Sequence, residues 1–228
     1  MHVEIWSDIA CPWCYVGKRR FEAALAAFEH RDEVRVTWRS FELDPAAPAE
    51  REGDRAEHLA RKYGSSVEQA RAMEAQMTGV AATEGLAFRF DIARSGTTLD
   101  AHRLVHLGAA HGLQDAVKER LLRAYLCEGE LMSDHAALQR LAAEVGLPAE
   151  EVRDTLATDR FAAEVREDER TASALGVTAV PFFVVDRSMG AAGAQPAEVL
   201  GKLLRQGWEA RSPLAVVAGG DACGADGC

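Results

Sequence analysis

The stretch IWSDIACPWCYVGKRRFEAAL, residues 5–25, decides how this chain is read. Residues 1–8, MHVEIWSD, alternate Val3, Ile5 and Ser7 against Glu4, Trp6 and Asp8, which is the period of a β-strand. Beyond the two cysteines, Phe21, Leu25 and Phe28 recur at helical spacing and leave Lys18, Arg19 and Glu22 for an outer face. Cys11 and Cys14 therefore fall where a strand gives way to a helix. VRVTWRSF, residues 34–41, alternates again, so residues 1–41 predict a βαβ unit with parallel strands and a right-handed crossover.

A cysteine at a helix start meets unpaired backbone N–H groups and the positive end of the helix dipole, both of which favour thiolate. Positions three apart on a helix place their Cα atoms about 5 Å apart, within disulfide range. Pro12 suits the first helical position, where its missing N–H costs nothing. Cys11 is thus expected to ionise below the ordinary thiol range, and Cys14, farther into the helix, to be the slower thiol. A CxxC beside a βαβ pattern is a redox signal; the competing readings are a zinc half-site and a pair of core cysteines.

From about Asp44 to Gly176 the sequence is rich in Ala, Leu, Glu and Arg with helical periodicity, interrupted at Gly64, Gly85, Gly112, Gly129, Gly146 and Pro148. TAVPFFVVD (178–186) then suits a buried strand. QPAEVLGKLLRQGWEA (195–210) predicts a helix starting near Pro196, with Val199, Leu200, Leu203 and Leu204 on one face. The expected fold class is α/β: two strand-bearing ends assemble into one sheet around a large helical insertion. Residues 1–43 and 177–212 form the core, 44–176 the insertion, and 213–228 a flexible, Gly-rich, Cys-containing tail.

The net charge of −10 repels phosphate backbones, so nucleic acid is excluded as a partner, and no apolar run is long enough to span a membrane. The first residues are strand-like rather than a secretory signal, so a reducing cytoplasmic location is expected. Five cysteines at low density in such a compartment are not a disulfide scaffold.

Pro181, placed just before an apolar run, is expected either to start a strand or to hold a cis turn. At this point the chain resembles thioredoxin-fold proteins of the DsbA type, which implies an α/β thioredoxin fold with a large helical insertion. SDIACPWCYVGKRRFEAAL (7–25), WRSFELDP (38–45), LDAHRL (99–104) and GAQPAEVL (193–200) are similar to the FrnE-like branch, which is related to 2-hydroxychromene-2-carboxylate isomerases and kappa-class glutathione transferases. The resemblance implies that Cys11 is the attacking thiolate and Cys14 the resolving thiol, with a cis-Pro181 opposite them. It further implies that the Val180–Pro181 loop pairs with substrate. The isomerase relatives typically carry serine where this chain has Cys11 and use glutathione, so the dithiol points to electron transfer.

The expected function is thiol–disulfide exchange with a disulfide- or dithiol-bearing protein or small molecule. No organic cofactor or metal is required, and glutathione is a candidate redox partner. The alternatives are a glutathione-dependent isomerase or transferase, and a zinc-binding interaction module. Trp13 is expected to be an apolar landing surface for substrate. His102 and His106 have metal-ligand spacing, but His102 is expected to line the cleft between insertion and core. Asp8 is either a proton-transfer group or a helix cap, and Cys127 a small buried hydrophobe. Cys223 and Cys228, in a tail reaching roughly 20 Å, are a candidate redox relay or metal-binding pair.

Overall fold

The structure, a computed structural model, describes residues 1–211. Strand β1 (His2–Ser7) runs directly into helix α1 (Pro12–Ala26), and β2 (Arg35–Ser40) pairs parallel to β1 in the register Val3 to Val36 and Ile5 to Trp38. Strand β3 (Phe182–Val185) pairs antiparallel on the other side of β1, and β4 (Met189–Ala192) closes the edge, giving the order β2-β1-β3-β4. The first and third strands lie centrally and are buried on both faces, so β1 needs apolar or paired side chains at nearly every position. Val3 and Ile5 enter the main core, while Trp6 packs on the opposite face with Cys11, Cys14, Val177 and Val180.

Between β2 and β3 lie α2 (Arg55–Tyr63), α3 (Val67–Thr83), α4 (Leu99–Ala110), α5 (Gln114–Cys127), α6 (His135–Glu144), α7 (Ala149–Ala157) and α8 (Ala162–Ala174); α9 (Ala197–Glu209) follows the sheet. This is a thioredoxin fold with its helices inserted between the second and third strands. The insertion is tied to the core by apolar packing, because Leu104, Leu107, Leu121 and Leu122 share one cluster with Val3, Ile5 and Phe183.

The Val180–Pro181 peptide is cis, and Pro181 stands immediately before β3. Helix α1 approaches this loop closely: a Cβ on Gly17 would lie 2.8 Å from the Pro181 Cγ. Glycine at 17 therefore sets how near the helix that follows the cysteines can come to the proline.

Two sequence expectations change here. Lys18 does not face outward but is buried, neutralised by Glu22, Asp115 and Glu119. On α9 the buried face is Leu200, Gly201, Leu204 and Gly207, whereas Val199 is exposed, because the helix is rotated so that Gly207 meets Val185 of β3. Strand β4 was not foreseen, since Met-Gly-Ala-Ala carries no strand propensity.

Candidate active site

Cys11 is the residue that caps α1 at its N-terminus, in extended conformation, with Pro12 opening the first turn. The Cys14 N–H donates to the Cys11 carbonyl at 3.1 Å, which folds the motif into the helix and holds both side chains on one side. Both cysteines are free thiols. Cys11 is 5% exposed and Cys14 0%, so only Cys11 is open to a substrate. The Cys11 Sγ lies 3.7 Å from the Val180 carbonyl oxygen, which brings the motif and the proline loop together across 169 residues of sequence.

Behind the cysteines lies a polar cluster that a sequence pattern does not show. Lys118, on α5, is fully buried, and its ammonium donates to the Ser7 carbonyl at 3.0 Å. Burial holds its pKa down to about 8, against the pull of Cys14 and Asp8. Asp8 is also buried, and its carboxylate accepts from the Leu43 N–H (2.8 Å), the Thr98 hydroxyl (2.9 Å), the Ala10 N–H (3.2 Å) and His102 Nε2 (3.3 Å). Burial opposes its ionisation, but these donors outweigh it and hold the carboxyl below the ordinary range. Burial likewise lowers the pKa of His102, so the ring is neutral and donates from Nε2, leaving Nδ1 buried without a partner.

The two sulfurs titrate as a pair, so their apparent pKa values belong to the pair rather than to Cys11 or Cys14 alone. Cys11 is pushed well above the ordinary thiol range, chiefly by its hydrogen bond to Cys14 and then by burial. For Cys14, burial acts against the thiolate, but the Cys11 hydrogen bond and the charge of Lys118 overcome it, and the pKa falls. One proton thus leaves easily and the second is retained between the sulfurs. Attack by Cys11 requires that retained proton to pass to Cys14, a transfer within one hydrogen bond.

The other expected site residues divide clearly. Trp13 is 45% exposed and lines a cleft of about 950 Å³ that reaches Cys11 between the motif and helices α2 and α3. Val180 and Pro181 are buried, Val180 packs with Cys11, and neither lines this cleft. His102, expected to line the cleft, instead lies fully buried behind Asp8, because α4 turns it toward the carboxylate, and it cannot touch a substrate. Asp8 caps no helix. His106 donates or accepts at Ser40 and lies 3.1 Å from Asp168, so the two histidines serve different acids rather than one metal. Among the described residues no group of three or more His, Cys, Asp or Glu side chains could hold a metal ion. Cys127 is half-buried, more open than expected. The tail cysteines Cys223 and Cys228 lie outside the described residues.

Sequence reasoning missed Lys118 and the importance of Leu43 and Thr98. A lysine amid charged residues of α5 reads as solvent-facing, and nothing local signals its burial. A weak signal does exist for Asp8, an acid on an otherwise buried strand end.

Comparison with known proteins agrees with this architecture. The chain is 50% identical to a probable DsbA oxidoreductase from Streptomyces coelicolor whose crystal structure superposes with a TM-score of 0.90, covering 100% of this chain and 98% of the other. The cytosolic disulfide reductase DsbM from Pseudomonas aeruginosa shares the fold at 18% identity and a TM-score of 0.66, over 92% of this chain and 100% of DsbM. The Bacillus subtilis protein YwbO is 26% identical over 197 residues, 85% of this chain and 92% of YwbO. The DSBA-like thioredoxin domain model matches residues 2–205, from the first strand through most of α9, and the chain belongs to that family.

Proposed function

We propose that this protein exchanges electrons between its Cys11–Cys14 pair and an external disulfide or dithiol. The observation that carries the reading is the pair itself: two free thiols at a helix start, one open and one sealed, backed by a buried cation. In the reducing direction the Cys11 thiolate attacks a substrate disulfide and expels one thiolate. Cys14 then attacks the Cys11 sulfur, closes the Cys11–Cys14 disulfide and releases the second thiolate; two electrons pass to the substrate. Lys118 favours the thiolate state of the pair, and Val180 and Pro181 position Cys11 and pair with an incoming chain. Asp8, fixed by four donors, holds the strand end and His102 in place.

A cytoplasmic setting is supported by the relative described as a cytosolic reductase, which shares the fold. The isomerase alternative has one supporting observation, the fold shared with a 2-hydroxychromene-2-carboxylate isomerase at a TM-score of 0.66. The second cysteine favours electron transfer over it, because an isomerase that leaves glutathione chemically intact needs no resolving thiol.

Substitution of Cys14 by Ser tests the reading. The variant should accumulate a mixed disulfide on Cys11 after one addition of a small disulfide, visible by mass spectrometry, whereas Cys11→Ser should form none. Wild-type-like turnover by Cys11→Ser would contradict it.

A further inference from the structure

The cleft beside Cys11 has unpaired positive charge on one wall. On its walls Arg51 pairs with Asp44 and Arg55 with Glu74, so those charges cancel. The Asp8 carboxylate, at its base, is held by its four donors and faces the buried Lys118 ammonium, whose charge opposes it. Arg61 and Lys62, in the last turn of α2, remain without an acidic partner among the described residues; Arg61 donates to His58 Nδ1 at 2.8 Å, and Lys62 sits over the Tyr63 ring. In a chain of net charge −10, the charges left unpaired on the α2 wall of this cleft are cations. Cations in a last turn also complement a helix dipole, but that accounts for neither their place in the cleft nor the apolar side chains beside them. Tyr63 and Met73 are exposed there, Trp13 stands at the motif, and Met77 is buried in the wall.

A volume of about 950 Å³ matches small-molecule sites, which run to roughly 1,000 Å³. The lining has the make-up of such a site, with an apolar body, flexible methionines and a few charged groups at one side. We infer that the cleft takes low-molecular-weight disulfides bearing an anionic group, with the sulfur at Cys11, the apolar portion against Trp13 and Met73, and the anion at Arg61 and Lys62. This rests on the exchange chemistry proposed above and adds the substrate class and the residues that select it. The reaction balances as before: the reduced pair loses two electrons and two protons, one substrate disulfide becomes two thiols, and the pair closes to a disulfide.

The test compares two aromatic disulfides of similar size, the dianionic dithiobis(nitrobenzoate) and the neutral dithiodipyridine, in single-turnover reduction by the reduced full-length protein at low ionic strength. In wild type the anionic probe should react faster relative to its reaction with free cysteine, and that preference should shrink with added salt. Arg61→Glu combined with Lys62→Glu should lower the anionic-to-neutral rate ratio at least tenfold. The milder Arg61→Gln with Lys62→Gln should lower it about threefold, and serves if charge reversal disturbs folding. Lys202→Glu with Arg205→Glu, exposed on α9 and outside the cleft, makes the same change in net charge and should leave the ratio within twofold. An unchanged ratio in both α2 variants, or an equal fall in the α9 control, would overturn the inference while leaving the exchange chemistry intact. Failure of wild type to reduce either probe would instead overturn the exchange reading.

Discussion

Replacing Lys118 by Met isolates the electrostatic part of the mechanism. Methionine keeps the length of the buried side chain but removes the ammonium that favours the thiolate and donates to the Ser7 carbonyl at 3.0 Å. An opposite charge within about 4–6 Å lowers a pKa by roughly 1–3 units, so losing one from a site of 0% exposure should raise the first pKa of the cysteine pair by about 1–2 units. For a pKa above the working pH, each unit cuts the thiolate fraction tenfold, while nucleophilicity rises about threefold, a net slowing of roughly threefold per unit. Attack at pH 7 should therefore slow by about 3- to 10-fold. At pH values above the pair's first pKa, where the thiolate predominates, the reduced form is destabilised as well, by about 1.4 kcal/mol per unit, which makes the couple more reducing by about 30 mV per unit there. Lys118 itself loses its proton near pH 8. The difference between wild type and variant should thus be full below that pH and shrink above it. Thiolate absorbance titration and stopped-flow reduction of dithiodipyridine from pH 6 to 9 measure both effects. A folded variant with an unshifted titration and rates within about 1.5-fold of wild type throughout would refute the role given to Lys118.

Gly17→Ala should bring a methyl group 2.8 Å from the Pro181 Cγ, so either α1 or the proline loop must give way. A stability loss of about 1–3 kcal/mol is expected from such overpacking, with slower exchange, measured by urea denaturation and single-turnover kinetics; unchanged values in both would remove the glycine from the account. Glu4 is buried in β1, and although burial opposes its charge, hydrogen bonds from Arg187 and Arg39 hold its pKa at about 2 against an ordinary 4.5. Its folded pKa is depressed, so its contribution is complete above about 4.5 and is lost as pH falls toward 2. Glu4→Gln should be less stable than wild type at pH 6 by chemical denaturation, with the gap narrowing at pH 3; a constant gap would show that the ion pairs are not its source.

The first 41 residues were legible because their information is local. Alternation placed β1 and β2, helical spacing placed α1, and the CPWC between them fixed the chemistry to be expected. Pro181 could be singled out because a proline beside a buried strand demands a reason. What escaped the sequence depends on partners far along the chain. Lys18 reads as solvent-facing until Asp115 and Glu119 of α5 arrive beside it, and Lys118 reads as one more surface lysine until β1 covers it. Strand β4 has no intrinsic tendency to be a strand; it pairs because β3 leaves an open edge, and Gly190 is accommodated because a Cβ there would lie 2.8 Å from the Phe182 ring. The sharing of a proton between Cys11 and Cys14 depends on burial and Lys118 together, neither of which a helix position reveals.

The central claim is that Cys11 and Cys14 form one reversible two-electron couple. Equilibrating the protein over a range of reduced-to-oxidised glutathione ratios, quenching with acid and alkylating free thiols tests it most directly. The account predicts that Cys11 and Cys14 lose their thiols together, in a single two-electron transition, with a Cys11–Cys14 disulfide identified in the linked peptides. Independent titration of the two cysteines, or a stable glutathione adduct on Cys11 in wild type with no Cys11–Cys14 disulfide at any ratio, would contradict it.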